Sequence, residues 1–196
     1  MLFASPYKSA ISLFCLLLIC VFTSPNVTKA DDSTLWEALK SGDHFVLLRH
    51  ALAPGFGDPT TVDLSDCSTQ RNLSEEGRQQ SRKIGEMFRA NGISDAVVLT
   101  SQWCRCRETA NLMGIGKVED MTSLNSFFQR RENQARQLNE LEQWHLNANL
   151  DRPTVLVTHQ VVITGLTDYF PSSGEIVFVK QSPSNDLQVV GTIDTL

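Results

Sequence analysis

Five short runs of the chain are rich in β-branched and aromatic residues and read as strands: 44–48, 96–100, 154–158, 175–180 and 187–193. Three of them, through Phe45-Val46-Leu47-Leu48, Val97-Val98-Leu99 and Val155-Leu156-Val157, are apolar without alternation, as strands covered on both faces are. Helical patterns separate the first four runs, which predicts a mostly parallel central sheet with helices on both faces. The last two are divided by the turn-forming stretch Gln181-Ser182-Pro183-Ser184-Asn185-Asp186, which predicts an antiparallel hairpin at one edge. The fold class is therefore α/β, a single three-layer domain. One helix is expected from its N-cap Ser74 to about Asn91, with Glu75 and Glu76 in its first turn and Gly92 as its stop. Its inner stripe is Gly77, Ser81, Ile84 and Phe88, and the small residues at its start let it lie close to the sheet. A second helix, about 130–146, turns Leu138, Leu141 and Trp144 inward and leaves His145 exposed. Between the first strand and Ser74 lies a loop of about twenty residues, long enough to carry function.

The first 30 residues do not belong to this pattern. Lys8, an apolar run from Ala10 to Phe22, and Thr28-Lys29-Ala30 before Asp31-Asp32 have the layout of a secretory leader cleaved after Ala30. The apolar run is short for a membrane span, which needs roughly 20 residues, so no stable membrane insertion is expected after cleavage. Residues 31–196 suffice for one compact domain. Loss of Lys8 and Lys29 leaves 15 basic residues against 22 acidic ones, a net charge of −7, which argues against nucleic-acid binding.

Of five cysteines, Cys67, Cys104 and Cys106 remain, in an exported setting where disulfides persist. Trp103, Cys106, Ala110 and Met113 share one apolar helical face, so Cys106 is expected as a buried thiol. Cys104 points elsewhere and can reach Cys67, although spacing alone does not fix the pairing. A metal site is disfavoured, because no CxxC pair accompanies a matched histidine pair.

Ligands of α/β sheets bind beyond the carboxyl ends of the strands. The first run ends in Arg49-His50, the second passes through Thr100-Ser101 into the helix carrying Arg105, and the third ends in Thr158-His159. Two histidines and two arginines thus converge at one edge. Such a set suits phosphoryl transfer: a neutral imidazole attacks phosphorus in line while guanidinium forks hold the equatorial oxygens. The arginines keep His50 unprotonated by like-charge repulsion. The helix that begins near Ser101 offers backbone N–H donors to the same oxygens, which makes Ser101 a candidate for substrate binding.

The segments Leu48-Arg49-His50-Ala51, Leu73-Ser74-Glu75-Glu76-Gly77, Ser101-Gln102-Trp103-Cys104-Arg105-Cys106-Arg107-Glu108-Thr109-Ala110 and Thr158-His159 resemble the histidine phosphatase (phosphoglycerate mutase-like) superfamily, in its small exported branch. The resemblance runs from about residue 43 to the end. It implies a phosphohistidine on His50, phosphate held by Arg49 and Arg105, His159 donating to the phosphoryl oxygens, and no metal or other cofactor. Arg71, just before the Leu73-Ser74 helix start, would extend the basic pocket. Many members place an acid directly after the second histidine or at a Leu-x-Glu position, and here those places hold Gln160 and Ser126. The leaving-group proton donor therefore stays open among Glu175, Asp58, Asp66 and Glu132, or water with a substrate whose leaving group needs little help. Ala51 stands where a glycine often follows the Arg-His pair.

The implied function is phosphomonoester hydrolysis in the periplasm or outside the cell, on a small phosphorylated substrate such as a sugar phosphate or cell-envelope glycan phosphate. The alternative is a phosphate-binding module that has lost turnover. Outside the site, Arg107 reads as a solvated or ion-paired side chain, His44 as structural, and Trp103 as core.

Overall fold

The computed structural model describes residues 1–2, 31–181 and 186–196, so the expected leader, apart from its first two residues, and 182–185 of the expected turn lie outside the described residues. Five helices, α1 (Asp32–Lys40), α2 (Glu75–Ala90), α3 (Cys104–Met113), α4 (Gln134–Asn147) and α5 (Gln160–Thr167), are interleaved with β1 (His44–Arg49), β2 (Val97–Thr100), β3 (Val118–Asp120), β4 (Thr154–Thr158), β5 (Ile176–Gln181) and β6 (Leu187–Ile193). The six strands form one sheet in the order β3-β2-β4-β1-β5-β6. The first four of that order run parallel, β5 is antiparallel to β1, and β6 is antiparallel to β5. This is the expected α/β domain with its antiparallel edge hairpin.

Strand alternation divides the core between the two faces. Val46, Leu48, Val98, Val155, Val157 and Phe178 pack under α1, α2 and α3, where Trp36 meets Phe88 and Phe178 edge-on. Phe45, Leu47, Leu156, Val177 and Val179 face the other way, against Leu141 of α4 and Val162 and Ile163 of α5. Both halves are buried, which is why the central runs carry no polar position.

Ser74 caps α2 by accepting from the Gly77 N–H at 3.1 Å, and Gly92, at φ +79, follows its end. The small residues of α2 serve other neighbours than the sheet. A Cβ at Gly77 would lie 2.1 Å from the Leu52 carbonyl oxygen, and one at Gly85 would lie 1.9 Å from that of Met113. The helix thus packs its backbone against the loop after β1 and against α3. The helix expected at 130–146 begins at Gln134, after a short 3-10 turn at Arg131–Asn133. Its buried stripe is Gln137, Leu141 and His145, with Leu138 and Trp144 half-buried beside it. His145 is 6 % exposed, which corrects the expectation of an exposed side chain: it lies one helical turn beyond Leu141, on the same face.

Candidate active site

Arg49 and Thr158 are register partners on the adjacent parallel strands β1 and β4, so the next residues, His50 and His159, leave the sheet side by side. The His50 N–H donates to the Thr158 carbonyl at 2.9 Å, which holds the chain straight across that step. The two rings stand 5.5 Å apart between centroids, and both are buried. Beyond β2, the Ser101 N–H donates to Val157 O at 2.9 Å, and the chain turns into α3 with Arg105 in its first turn. A disulfide between Cys67 and Cys104 ties the 51–73 loop to the start of α3, next to Arg105, while Cys106 is a free buried thiol. Burial pushes that thiol up to about 12, although Arg105 pulls the other way.

The hydrogen bonds define the histidine tautomers. His50 Nδ1 lies 2.8 Å from Ala51 O, an acceptor only, so Nδ1 carries the proton and Nε2 keeps its lone pair. His159 Nδ1 receives from Arg105 Nη2 at 3.3 Å, which leaves its proton on Nε2, facing Ser101 Oγ at 2.9 Å. Ser101 Oγ in turn donates to Asn125 Oδ1 at 3.0 Å. Both imidazoles are held well below the usual histidine range, first by burial and then by the charge of Arg105. Arg49 and Arg71 are lowered by burial and by Arg105 as well, a mark of three guanidiniums crowded together.

His50, His159, Arg49, Arg71 and Arg105 line a cavity of about 100 Å³ whose wall also includes Asp58, Ser126 and Gln160. Arg49 donates through Nη1 to Pro171 O at 2.9 Å, and Arg71 through Nε to Gly57 O at 3.0 Å and through Nη1 to Ala53 O. The Nε atoms of Arg49 and Arg105 are buried without a hydrogen-bond partner. Trp103 packs at 4.8 Å from the Arg105 guanidinium and edge-on to His159, so it supports the site from the core.

His50, Arg49, Arg105, His159 and Arg71 are thus brought together. Ser101 is corrected: it does not line the cavity and instead orients His159 from behind. Of the four acids considered as proton donors, only Asp58 lines the cavity. Glu175 is buried, but its carboxylate accepts from Tyr169 Oη and from the Ser172 N–H, which turn it away. Asp66 caps the 3-10 turn at Cys67–Thr69 through Ser68, and Glu132 is exposed in the turn before α4. Arg107 is ion-paired with Asp120 at 2.5 Å, within its reading as a solvated or ion-paired side chain. Unforeseen were Phe56 and Phe128, an edge-on pair at 5.0 Å on the cavity wall. The only signal for Phe56 was its place between Gly55 and Gly57, both at positive φ.

The family model of the histidine phosphatase superfamily (branch 1) matches residues 45–127, the stretch that holds Arg49, His50, Asp58, Arg71 and Arg105. Residues 45–127 thus match the histidine phosphatase superfamily. Solved structures agree on the fold. The protein histidine phosphatase SixA, complexed with tungstate, superposes at a TM-score of 0.56 with 14% identity, covering 78% of this chain and 97% of that one. A phosphoserine phosphatase variant from Entamoeba histolytica, in complex with phosphoserine, gives 0.53 and 12%, covering 78% and 97%. An open reading frame product of Mycobacterium tuberculosis gives 0.55 and 16%, covering 75% and 95%. No curated protein matches the sequence. The family match and the site together support a phosphatase.

Proposed function

We propose that this protein is an exported phosphomonoester hydrolase that works through a phosphohistidine on His50. The observation that carries the reading is the hydrogen-bond pattern of His50: its only ring proton is spent on Ala51 O, so the Nε2 lone pair belongs to a cavity ringed by Arg49, Arg71 and Arg105. Nε2 attacks phosphorus, the ester P–O bond breaks, and water later hydrolyses the P–N bond. The unpartnered Nε–H groups of Arg49 and Arg105 are donors in waiting for phosphoryl oxygens. A module that only bound phosphate would need the guanidiniums and no unprotonated imidazole.

Export is supported by the leader-like first 30 residues and by the Cys67–Cys104 bridge, since disulfides persist in oxidising compartments. The substrate in this reading is a sugar phosphate or cell-envelope glycan phosphate, taken up outside the cytoplasm. The cavity of about 100 Å³ suits a phosphoryl group and leaves the alcohol portion outside. Among the describable residues no helix is long and apolar enough to cross a membrane.

The test is to mix residues 31–196 with 4-nitrophenyl phosphate, quench in the steady state and weigh the intact protein. Wild type is expected to turn over and to carry an acid-labile phosphoryl group, whereas His50→Ala carries none and loses at least about 10³-fold in kcat. Folded wild type that binds phosphate yet shows neither turnover nor adduct would establish the binding module instead.

A further inference from the structure

We infer that Asp58 is the proton shuttle of this site, and that the substrate loads it by evicting it from Arg105. The inference rests on the phosphatase reading above. Asp58 is the one carboxylate among the cavity-lining residues, and its side chain is 4 % exposed.

A guanidinium has five N–H groups. On Arg105, Nη1 donates to Asp58 Oδ1 at 2.8 Å and to Arg71 O at 3.1 Å, while Nη2 donates to Asp58 Oδ2 at 3.1 Å and to His159 Nδ1 at 3.3 Å. All four terminal N–H groups are therefore taken, and only Nε is left. A phosphoryl group can reach the two-pronged face of Arg105 only by displacing the Asp58 carboxylate, which now occupies it as an internal anion. The displaced carboxylate exchanges a guanidinium for a phosphoryl dianion as its neighbour, and both changes favour its neutral, protonated form. Substrate binding thus creates an acid beside the ester oxygen.

The loop allows this exchange. Asp58 follows Gly57, at φ +67, and its remaining ties are the Arg71 N–H on Oδ1 at 2.9 Å and the Gln129 side chain, which brackets its backbone. The charged and titratable groups around it are Arg105 and Cys106 on α3, Arg71 on the same loop, Arg49 at the end of β1 and His50 just after it, and His159 after β4. Every cation in that set is an arginine, so no other group in the cavity can pass a proton to an alkoxide while both histidines remain neutral.

In the first step His50 Nε2 bonds to phosphorus, the P–O ester bond breaks, and the Asp58 proton goes to the departing oxygen, giving alcohol, phosphohistidine and a carboxylate. In the second, a water oxygen bonds to phosphorus, its proton returns to Asp58, and the P–N electron pair returns to Nε2. Release of phosphate lets Asp58 shed that proton and close on Arg105 again.

Asp58→Asn keeps an acceptor for the Arg71 N–H and removes the shuttle. Turnover of an alkyl phosphate is expected to fall about 10²–10³-fold, and that of 4-nitrophenyl phosphate less than about tenfold, because only the alkoxide needs the proton. Calorimetry of tungstate binding at pH 7, in buffers of different ionisation heat, is expected to show wild type taking up more protons than Asp58→Asn, with the variant binding tungstate more tightly. An equal fall on both substrates with weaker tungstate binding would overturn the shuttle and reduce Asp58 to a residue that positions Arg105. If Asp58→Asn does not fold, wild-type rates across phosphates of rising leaving-group pKa decide: a flat series supports the shuttle and a steep decline overturns it. A wild type that binds tungstate yet hydrolyses neither substrate overturns the phosphatase reading itself, a distinct outcome.

Discussion

Two imidazoles held neutral in a cluster of guanidiniums make both activity and stability sensitive to acid. His50 and His159 are lowered in the folded state by burial and by Arg105. Below about pH 6.5 the unfolded chain protonates these residues and the folded chain does not, so stability present at neutral pH is lost as pH falls, by up to ~1.4 kcal/mol per pH unit for each ring. Urea unfolding between pH 7 and pH 5 is expected to show this slope, made shallower in His50→Gln by one ring's share; an unchanged slope would mean that His50 is not held neutral. The acid limb of kcat/KM belongs below pH 6.5 for the same reason. Arg49, His50, Arg105 and His159 were legible in the sequence because each directly follows a strand or opens the next helix. Asp58 was one acid among four, since its approach to Arg105 depends on the left-handed turns at Gly55 and Gly57, and no periodicity records those.

At the level of elements, α2 packs closely on α3, the helix that carries Arg105. These helices meet at Gly85, where a Cβ would lie 1.9 Å from Met113 O, a backbone atom with no room to yield. Gly85→Ala is therefore expected to destabilise the protein by roughly 1–3 kcal/mol, despite its gain in helix propensity, and to lower its melting temperature. A neutral or stabilising result would show that the helices part freely. The pattern that exposes α2 in the sequence, Ser74 before Glu75-Glu76 and a small-residue stripe, predicts its ends well. It does not say which neighbour the stripe serves, because a glycine is equally suited to a sheet, a loop or a helix. Strand β3 went unseen because its three residues are too few to show alternation. Helix α1, with Leu35, Trp36 and Leu39 buried, is only nine residues long and shows too little periodicity to stand out in the sequence. His145 was misplaced because a polar ring at the end of a stripe looks like surface until the facing elements are known.

The whole molecule joins a rigid sheet to a stapled loop. The Cys67–Cys104 bridge closes a span of 37 residues, which in the chain-entropy account stabilises the fold by about 4 kcal/mol. Reduction, or Cys67→Ser, is expected to lower the melting temperature and to raise KM for aryl phosphates, because the bridge anchors the segment that carries Asp58 and Arg71. Unchanged kinetics after reduction would mean that the loop holds its place unaided. The layered α/β plan was fully legible, since three continuous apolar runs require cover on both faces, whereas the order of strands across the sheet was not. That order has a consequence of its own. Because β1 and β4 are neighbours in register, the separation of His50 and His159 is measured out by the backbone ladder between them, a ruler that side-chain repacking cannot stretch. Heat or mild denaturant that blunts the enzyme before the sheet gives way therefore works on what surrounds that ladder, so that lost activity in a chain with intact β-structure is a report on residues 51–73 and on α3, which carries Arg105.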